Sequence, residues 1–525
     1  MIRAHSAATV REVEEPRLAA GEPLMAHAAF ALATHVAREL RDRTGRVAGS
    51  VVLLLVGGGN NGGDALYAGT HLARRGCQVH AAVVSDRAHE AGLAAARASG
   101  VRVHELLAAP DLPGAVVDLA GRCHVWVDGL TGIGARGPLR EPVAGIVAAL
   151  AEERAAWSSL LAEPIVVAVD VPSGIGVDDG TVPGPVLPAD VTVSMGTAKP
   201  GLLLPPAAAL AGRLEVVDLG LTELADREPA ACSLGRSDVA ALWPVPGPED
   251  HKYTRGVLGL VAGSRTYPGA AVLCAAGALR TGLGMVRYLG PEVPTSLVRA
   301  AHPEIVTVPG RVQAWVLGPG VDPRDAARTA ELADHLDEAA GQGLPAVLDA
   351  GALTLLHDDV DLAGPTVLTP HAGELAELLT ARGEHTPRRD VEAAPARHAR
   401  LAAEITGGTV LLKGARTVVA APEGPLHAQG DATGWLATAG AGDVLAGVLG
   451  ALLAAYGDAI AEAVHPAASL APLAAAAASA HGHAARLAAG LPFDADDDPA
   501  GPIGVPITAS DVADALPGAL STILD

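Results

Sequence analysis

Aromatic side chains are scarce: the 525 residues contain five Trp, five Tyr and two Phe, about 2% of the chain. Half the residues are nonetheless hydrophobic and the mean hydropathy is +0.31, so the cores must be aliphatic, built from Val, Leu and much Ala. Cysteine is equally sparse. Cys77, Cys123, Cys232 and Cys274 are scattered without a C-x-x-C pair, which excludes a disulfide framework and a zinc site. They read as small core residues in a reducing compartment. Positive charge is short as well, with 37 Lys and Arg against 59 Asp and Glu, a net charge of −22 and a pI near 5.2. Nucleic acid and anionic membrane are excluded as partners, because both require a basic face. Bound phosphates must then be held by loops and local lysines. Long apolar runs are missing too: the N-terminus MIRAHSAATVREVEE lacks the apolar core of a signal peptide, and Glu462, Pro466 and Pro472 interrupt the Ala-rich tract 459–489. No membrane segment and a cytoplasmic location are expected.

What is present is alternation. The length suggests two or more domains, and the pattern resolves into two α/β halves. An amphipathic helix over 22–43 leads into a strand at Val51–Val56, followed by strands at 79–84, 125–128, 165–170, 191–195 and 214–217 with helical stretches such as 90–99 and 142–156 between them. This predicts a doubly wound first domain, residues 1–221. A polar, Pro-rich passage, 222–250, reads as linker and lead-in. Residues 251–525 form the second domain, with a glycine turn after a short strand, a helix from about Ala270 to Thr281, and apolar runs at 305–308, 315–317, 347–349, 366–369, 410–412 and 418–420. No repeat of 20 to 50 residues is present, which excludes a solenoid.

The first strand runs into Gly57-Gly58-Gly59-Asn60-Asn61-Gly62-Gly63-Asp64, a turn in which glycines let a ligand approach backbone and Asp64 is expected to cap a helix from Ala65 to about Arg75. The spacing Gly57-x-Gly59-x-x-Gly62, with Asp86 downstream, meets the formal dinucleotide fingerprint. Asn60 and Asn61 argue against it, since amide oxygens suit a cation or a polar ring better than a pyrophosphate that needs bare backbone. Two further strand ends, Asp128-Gly-Leu-Thr-Gly132 and Asp170-Val-Pro-Ser173-Gly174, converge on the same loop if the sheet is parallel. Asn61, Asp128 and Ser173 offer hard oxygens to a monovalent or divalent cation, and Asp170 a general acid or base. Taken singly, each Asp is more simply a turn or cap residue; their recurrence at strand ends favours function.

In the second half, Gly440-Ala-Gly442-Asp443 opens a helix carrying Leu445, Leu449 and Leu452 on one face. Bare amides at a helix N-terminus make an anion hole, with Asp443 at its lip able to orient or deprotonate a hydroxyl attacking a phosphoryl group. Lys413 ends a strand within LLKGART, and His371 and Glu374 follow another within TPHAGE. Without one another, Lys413 reads as a surface charge and His371 as a helix-capping or core histidine. His481 and His483 fit no motif and are expected at the surface.

The strings GGGNNGGD, DGLTGIGARGP, VAVDVPSG and ADVTVSMGTAKPG, spanning Val51 to about Gly201, together resemble the NAD(P)H-hydrate epimerase domain, a Rossmann-like fold. Ala65 departs from the Gly common after the loop Asp, at little expected cost. From about Gly256 to Gly447, GS…Y-x-GA, GPG, TPHAGE, KGART and GAGD occur in the order of the ribokinase-like ADP-dependent NAD(P)H-hydrate dehydratase. The first resemblance implies that Asn60, Asn61, Gly62, Gly63, Asp64, Gly132, Ile133, Gly134, Ala135, Arg136, Gly137, Pro138 and Asp170 contact the hydrated nucleotide and that Asn61, Asp128 and Ser173 bind potassium. The second implies that Ala270, Gly320, His371 and Asp443 face the hydrate. It also implies that Lys413, Gly414, Ala415, Arg416, Thr417 and Gly442 hold ADP, with Mg2+ arriving on its phosphates.

The joint implication is a bifunctional repair enzyme for NADH and NADPH hydrates. One domain would epimerise the R and S forms at C6, with Asp170 moving the proton. The other would phosphorylate the S form from ADP with Asp443 as the orienting acid and then eliminate phosphate, leaving AMP. A homo-oligomer is expected. The residues leave two other classes open: a vitamin or sugar kinase, which would release a stable phosphorylated product, and a dehydrogenase, which would transfer hydride.

Overall fold

The computed structural model describes residues 1–157, 163–357, 362–462, 466–493 and 503–525. The chain divides into two compact units, one from Arg3 to Ala231 and one formed by Met1–Ile2 with the chain from Cys232 onward. After a short N-terminal strand, β1 (Ile2–Ala4), the first unit holds β2 (Val51–Val56), β3 (Gln78–Val83), β4 (Arg102–Glu105), β5 (Val125–Gly129), β6 (Ile165–Val169), β7 (Val191–Met195) and β8 (Arg213–Val217). They form one sheet in the order β4-β3-β2-β5-β6-β7-β8, parallel throughout. Strand side chains alternate between faces, and both faces are covered. Val52, Leu54 and Val56 pack with Leu32, Val36 and Leu40 of the helix Leu24–Thr44, while Leu53 and Leu55 pack with Trp126, Ile146 and Leu150. Each such leucine contributes roughly 1.5–3 kcal/mol by leaving water. The doubly wound reading therefore holds, and the order reverses between β2 and β5, where crevices open in such sheets.

The second unit holds β9 (Ala231–Ser233), β10 (Val257–Val261), β11 (Met285–Tyr288), β12 (Ala314–Leu317), β13 (Ala346–Leu348), β14 (Thr366–Leu368), β15 (Thr409–Leu412), β16 (Thr417–Ala420) and β17 (Leu426–Gln429). The ten-stranded sheet runs β1-β9-β17-β16-β15-β14-β13-β12-β10-β11, parallel from β11 through β15 and antiparallel from β15 to β17. The helices Pro268–Arg280 and Ala441–Ala455 press together closely. A Cβ on Gly447 would lie 2.1 Å from the Cys274 carbonyl oxygen, and one on Gly277 2.4 Å from that of Val444. That contact fixes the Gly440–Asp443 turn to the core.

Several expectations change. The passage 222–250, expected as linker and lead-in, carries β9 and the helix Arg236–Ala241, and Leu234, Val239 and Trp243 join the hydrophobic core, so part of it is structured. The apolar run 305–308 contributes an isolated bridge between Val306 and Arg287, not a strand. The short strands β4, β9, β11 and β17 escape pattern reading because three or four residues carry little periodicity. All four cysteines are buried, as their scatter implied. Among the described residues no helix is long and apolar enough to cross a membrane.

Candidate active sites

In the first unit the helix after β2 begins earlier than expected. It spans Asn60–Arg74 with Gly59 as N-cap, so Asn61 and Asp64 lie one turn apart inside its first turns and Asp64 is not the cap. Tertiary packing overrides the weak helix propensity of Asn and Gly here. A Cβ on Gly57 would meet the Leu130 carbonyl oxygen at 1.9 Å and one on Gly62 the Gly57 carbonyl oxygen at 2.4 Å, so bare backbone is required where β2, β5 and the helix converge.

The three strand ends meet as the spacing suggested. Asn61 Nδ2 donates to the carbonyls of Val169 (2.6 Å) and Thr131 (2.9 Å). Asp128 is wholly buried; its Oδ1 accepts from Ser173 Oγ (2.7 Å) and Leu130 N (3.2 Å), and its Oδ2 from Ser173 N (2.8 Å). Burial raises this carboxyl, and the hydrogen bonds from Ser173 and Leu130 only partly counter it. A buried carboxylate with neutral hydrogen-bond partners, beside carbonyl, hydroxyl and amide oxygens, is a donor set that suits a monovalent cation.

Asp170 follows β6 with φ +66°, one of two non-glycine residues with positive φ among those described. Its Oδ1 accepts from Met195 N (3.0 Å), Ser194 Oγ (3.4 Å) and the ammonium of Lys199, which is itself buried. Lys199 further donates to the carbonyls of Met195 (2.8 Å) and Thr197 (3.0 Å). Lys199 lies within the TAKPG string, where nothing local marks it as the partner of Asp170. A cleft of about 990 Å³ is lined by the loop Gly132–Pro138, Asn60, Asn61, Arg11, Glu14 and Arg87. An inner chamber of about 100 Å³ holds Asp64 and Asp170. Asn60, Asn61, Glu14, Leu18 and Ile133 line both. Asp86, the residue at the ribose-acid spacing, is exposed beside Arg87 and does not line the cleft.

The second unit repeats the device of an aspartate at a strand end paired with a lysine. Asp349 follows β13 and precedes Ala350, the other positive-φ residue (+48°). Its Oδ1 accepts from Lys413 Nζ (2.8 Å) and Thr369 Oγ1 (2.8 Å). Asp349, by sequence only the end of an apolar run, is the partner that aims Lys413. Burial opposes the charge of Lys413, but Asp349, Glu374 (3.8 Å) and Asp443 outweigh it and raise its pKa. Asp443 lies in the first turn of Ala441–Ala455, whose N-cap Gly440 adopts φ +89° and supplies no side-chain cap. Burial, reinforced by Asp349 and opposed by Lys413, pushes the Asp443 carboxyl up to about 7. A Cβ on Gly442 would lie 3.5 Å from Lys413 Nζ, so the ammonium stands beside the helix N-terminus.

The remaining expected residues distribute unevenly. Ala270 and Gly320 adjoin, a Cβ on Gly320 meeting that of Ala270 at 2.3 Å. Gly414, Ala415 and Arg416 form the turn between β15 and β16, with Thr417 opening β16. His371 caps the helix Ala372–Ala381: its Nδ1 accepts from Gly373 N (3.0 Å) and Glu374 N (3.1 Å), leaving only Nε2 for a ligand. His481 and His483 are buried, not superficial. His481 neighbours the Ala441 backbone, and burial drops its pKa to about 4. His483 stacks on Phe493 at 4.0 Å and faces Asp431 at 3.7 Å. The Ala-rich stretch around them gave no polarity signal from which to read this. Among the described residues no three His, Cys, Asp or Glu converge as a metal cage.

Fold and sites together define an α/β enzyme of two nucleotide-handling units, one Rossmann-like and one ribokinase-like. A profile of the family described as NAD(P)H-hydrate dehydratase matches residues 258–492, and one described as YjeF-related protein N-terminus matches 21–201. The bifunctional NAD(P)H-hydrate repair enzyme Nnr of Mycobacterium tuberculosis (strain CDC 1551 / Oshkosh) is 44% identical over 462 residues, covering 86% of this chain and 89% of that protein. Its Mycobacterium leprae counterpart is 42% identical with the same coverage, 86% and 89%. The chain belongs to the family of bifunctional NAD(P)H-hydrate repair enzymes. The crystallised ADP/ATP-dependent NAD(P)H-hydrate dehydratase of Bacillus subtilis, grown with ATP and Mg2+, is 27% identical, covering 55% of this chain and 97% of its own, with a TM-score of 0.44.

Proposed function

We propose that residues 1–221 epimerise the R and S hydrates of NADH and NADPH at C6, and that residues 251–525 dehydrate the S form at the expense of ADP, giving AMP and phosphate. What supports the second half is the Asp443 carboxyl, held near neutrality at about 7 beside an uncapped helix N-terminus and the Lys413 ammonium. A carboxyl so tuned can take a hydroxyl proton at neutral pH. Lys413 and the backbone amides about Gly442 would hold the transferred phosphoryl group, and Ala270, Gly320 and His371 would border the hydrate. Since no resident cage of acidic ligands is found among the described residues, Mg2+ would enter with ADP as part of the co-substrate. In the epimerase half, potassium would be held by Asn61, Asp128 and Ser173, where it would compensate the buried Asp128 carboxylate. The loop Gly132–Pro138 and Asn60–Asp64 would border the substrate, with Asp170 handling protons. Four scattered, buried cysteines fit a cytoplasmic setting, and self-association belongs to the same reading.

The test is a mixed R and S hydrate incubated with ADP, Mg2+ and K+ while the return of NADH absorbance is followed. Complete conversion is expected. A stop once the S form is consumed would remove the epimerase assignment, and no ADP-dependent recovery would remove the repair reading altogether.

A further inference from the structure

Three carboxyl groups, of Glu14, Asp64 and Asp170, line the inner chamber of the first unit, and the two aspartates stand in opposite circumstances. The Asp170 carboxylate is committed: its Oδ1 accepts from the Lys199 ammonium, the Met195 amide and the Ser194 hydroxyl. Asp64 lines the same chamber almost wholly buried, and its Oδ1 has no hydrogen-bond partner. Leaving a charged oxygen so placed is costly, whereas a neutral carboxyl tolerates it. The groups facing Asp64 act in the same sense. Burial raises its pKa well above the carboxylate range, Asp170 and Glu14 add to the rise, and Lys199 opposes it from behind Asp170. Glu14 is raised as well, by burial first and by Asp170. One carboxyl with an unpartnered buried oxygen and a second gripped by an ammonium in the same chamber are the arrangement of an acid and a base.

We propose that Asp64 is the general acid of this site and that Asp170, held by Lys199, is its complementary base. The proposal rests on the epimerase reading of the first unit. Asp64 gives its proton to the C6 hydroxyl, the C6–O bond breaks with both electrons going to oxygen, and water departs, leaving the positive charge shared between C6 and N1. Water then adds to the opposite face of C6 and loses a proton to Asp170. Passage of that proton through water from Asp170 to the Asp64 carboxylate restores the starting state, so no other reactant is consumed.

The test uses the full chain in potassium buffer with purified R hydrate and no ADP, S hydrate being quantified by chromatography after subtraction of the spontaneous rate. Asp64→Asn should lower kcat about 10²–10⁴-fold with KM changed less than about threefold, as loss of a proton donor does. The unaltered chain should lose rate at alkaline pH as a single proton leaves, a readout that does not depend on the variant folding. A rate in Asp64→Asn within about tenfold of the unaltered chain, or a profile without an alkaline limb, would overturn the assignment. Failure of the unaltered chain to accelerate epimerisation would instead overturn the epimerase reading, and this proposal with it.

Discussion

The pH dependence of ADP-dependent dehydration is the most exacting consequence of the second site. Asp443 titrates at about 7 instead of its ordinary 3.8 because burial and Asp349 disfavour its charge more than Lys413 favours it. A base with that pKa is about one-tenth ionised at pH 6 and about nine-tenths at pH 8, so kcat/KM for S hydrate should climb roughly eight- to tenfold across that interval. The ADP terminal phosphate also titrates near pH 6–7, so the rise alone does not identify its owner. Variants separate them, since the nucleotide's titration is the same in every protein. Asp349→Asn deletes the neighbouring negative charge and leaves Lys413 without its 2.8 Å partner, so both effects move the limb to lower pH. Lys413→Met removes the ammonium that lowers the Asp443 pKa and moves the limb to higher pH, on top of a general loss of rate. The assay is initial-rate NADH recovery from S hydrate at subsaturating substrate between about pH 5 and 9. Shifts of the same sign in the two variants, or an unmoved limb in both, would refute the role given to Asp443.

Other outcomes follow from the same contacts. Asp443→Asn should abolish ADP-dependent recovery while R and S hydrates still interconvert, and Asp170→Asn should do the reverse; one substitution killing both activities would contradict one chemistry per unit. Because the folded-state pKa of Asp443 is raised, its ionisation destabilises the fold: stability is fully present below about pH 4 and is lost as pH rises through about 7. Asp443→Asn should therefore gain about 2 kcal/mol at pH 8, a figure already reduced for the residue's partial exposure, and the gain should narrow toward pH 4 in denaturant titrations. Gly440→Ala places a Cβ 2.4 Å from Leu273 Cδ1 at φ +89°, and should cost roughly 1–3 kcal/mol and weaken ADP binding by calorimetry while epimerisation persists.

Much was legible in the chain itself. Six apolar residues before a glycine turn determine β2, since few local structures accommodate such a run, and the crowding at Gly57 and Gly62 explains why glycine stands there. Strand-end acids at Asp128 and Asp170 could be read because parallel α/β sheets present their carboxyl ends to ligands whatever the details of packing. The GAGD turn announced an uncapped helix by composition alone, and the structure shows that helix.

Tertiary structure decided what those residues can do. Lys199 meets Asp170 across 29 positions and Lys413 meets Asp349 across 64, separations with no periodic trace, so the two ion pairs that set each site's charge were invisible in sequence. The helix at Asn60 starts where packing against β5 forces it, not where side-chain propensity would open it, and this buries Asp64 beside Asp170 instead of leaving it at a cap. His481 and His483 were misread for the same reason: burial belongs to the surroundings of a side chain, not to its identity. Local sequence thus determined the strands, the glycine turns and the acids at the strand ends. The surroundings of each acid were decided only by the neighbours that folding brought to it, because burial and nearby charge belong to the tertiary structure.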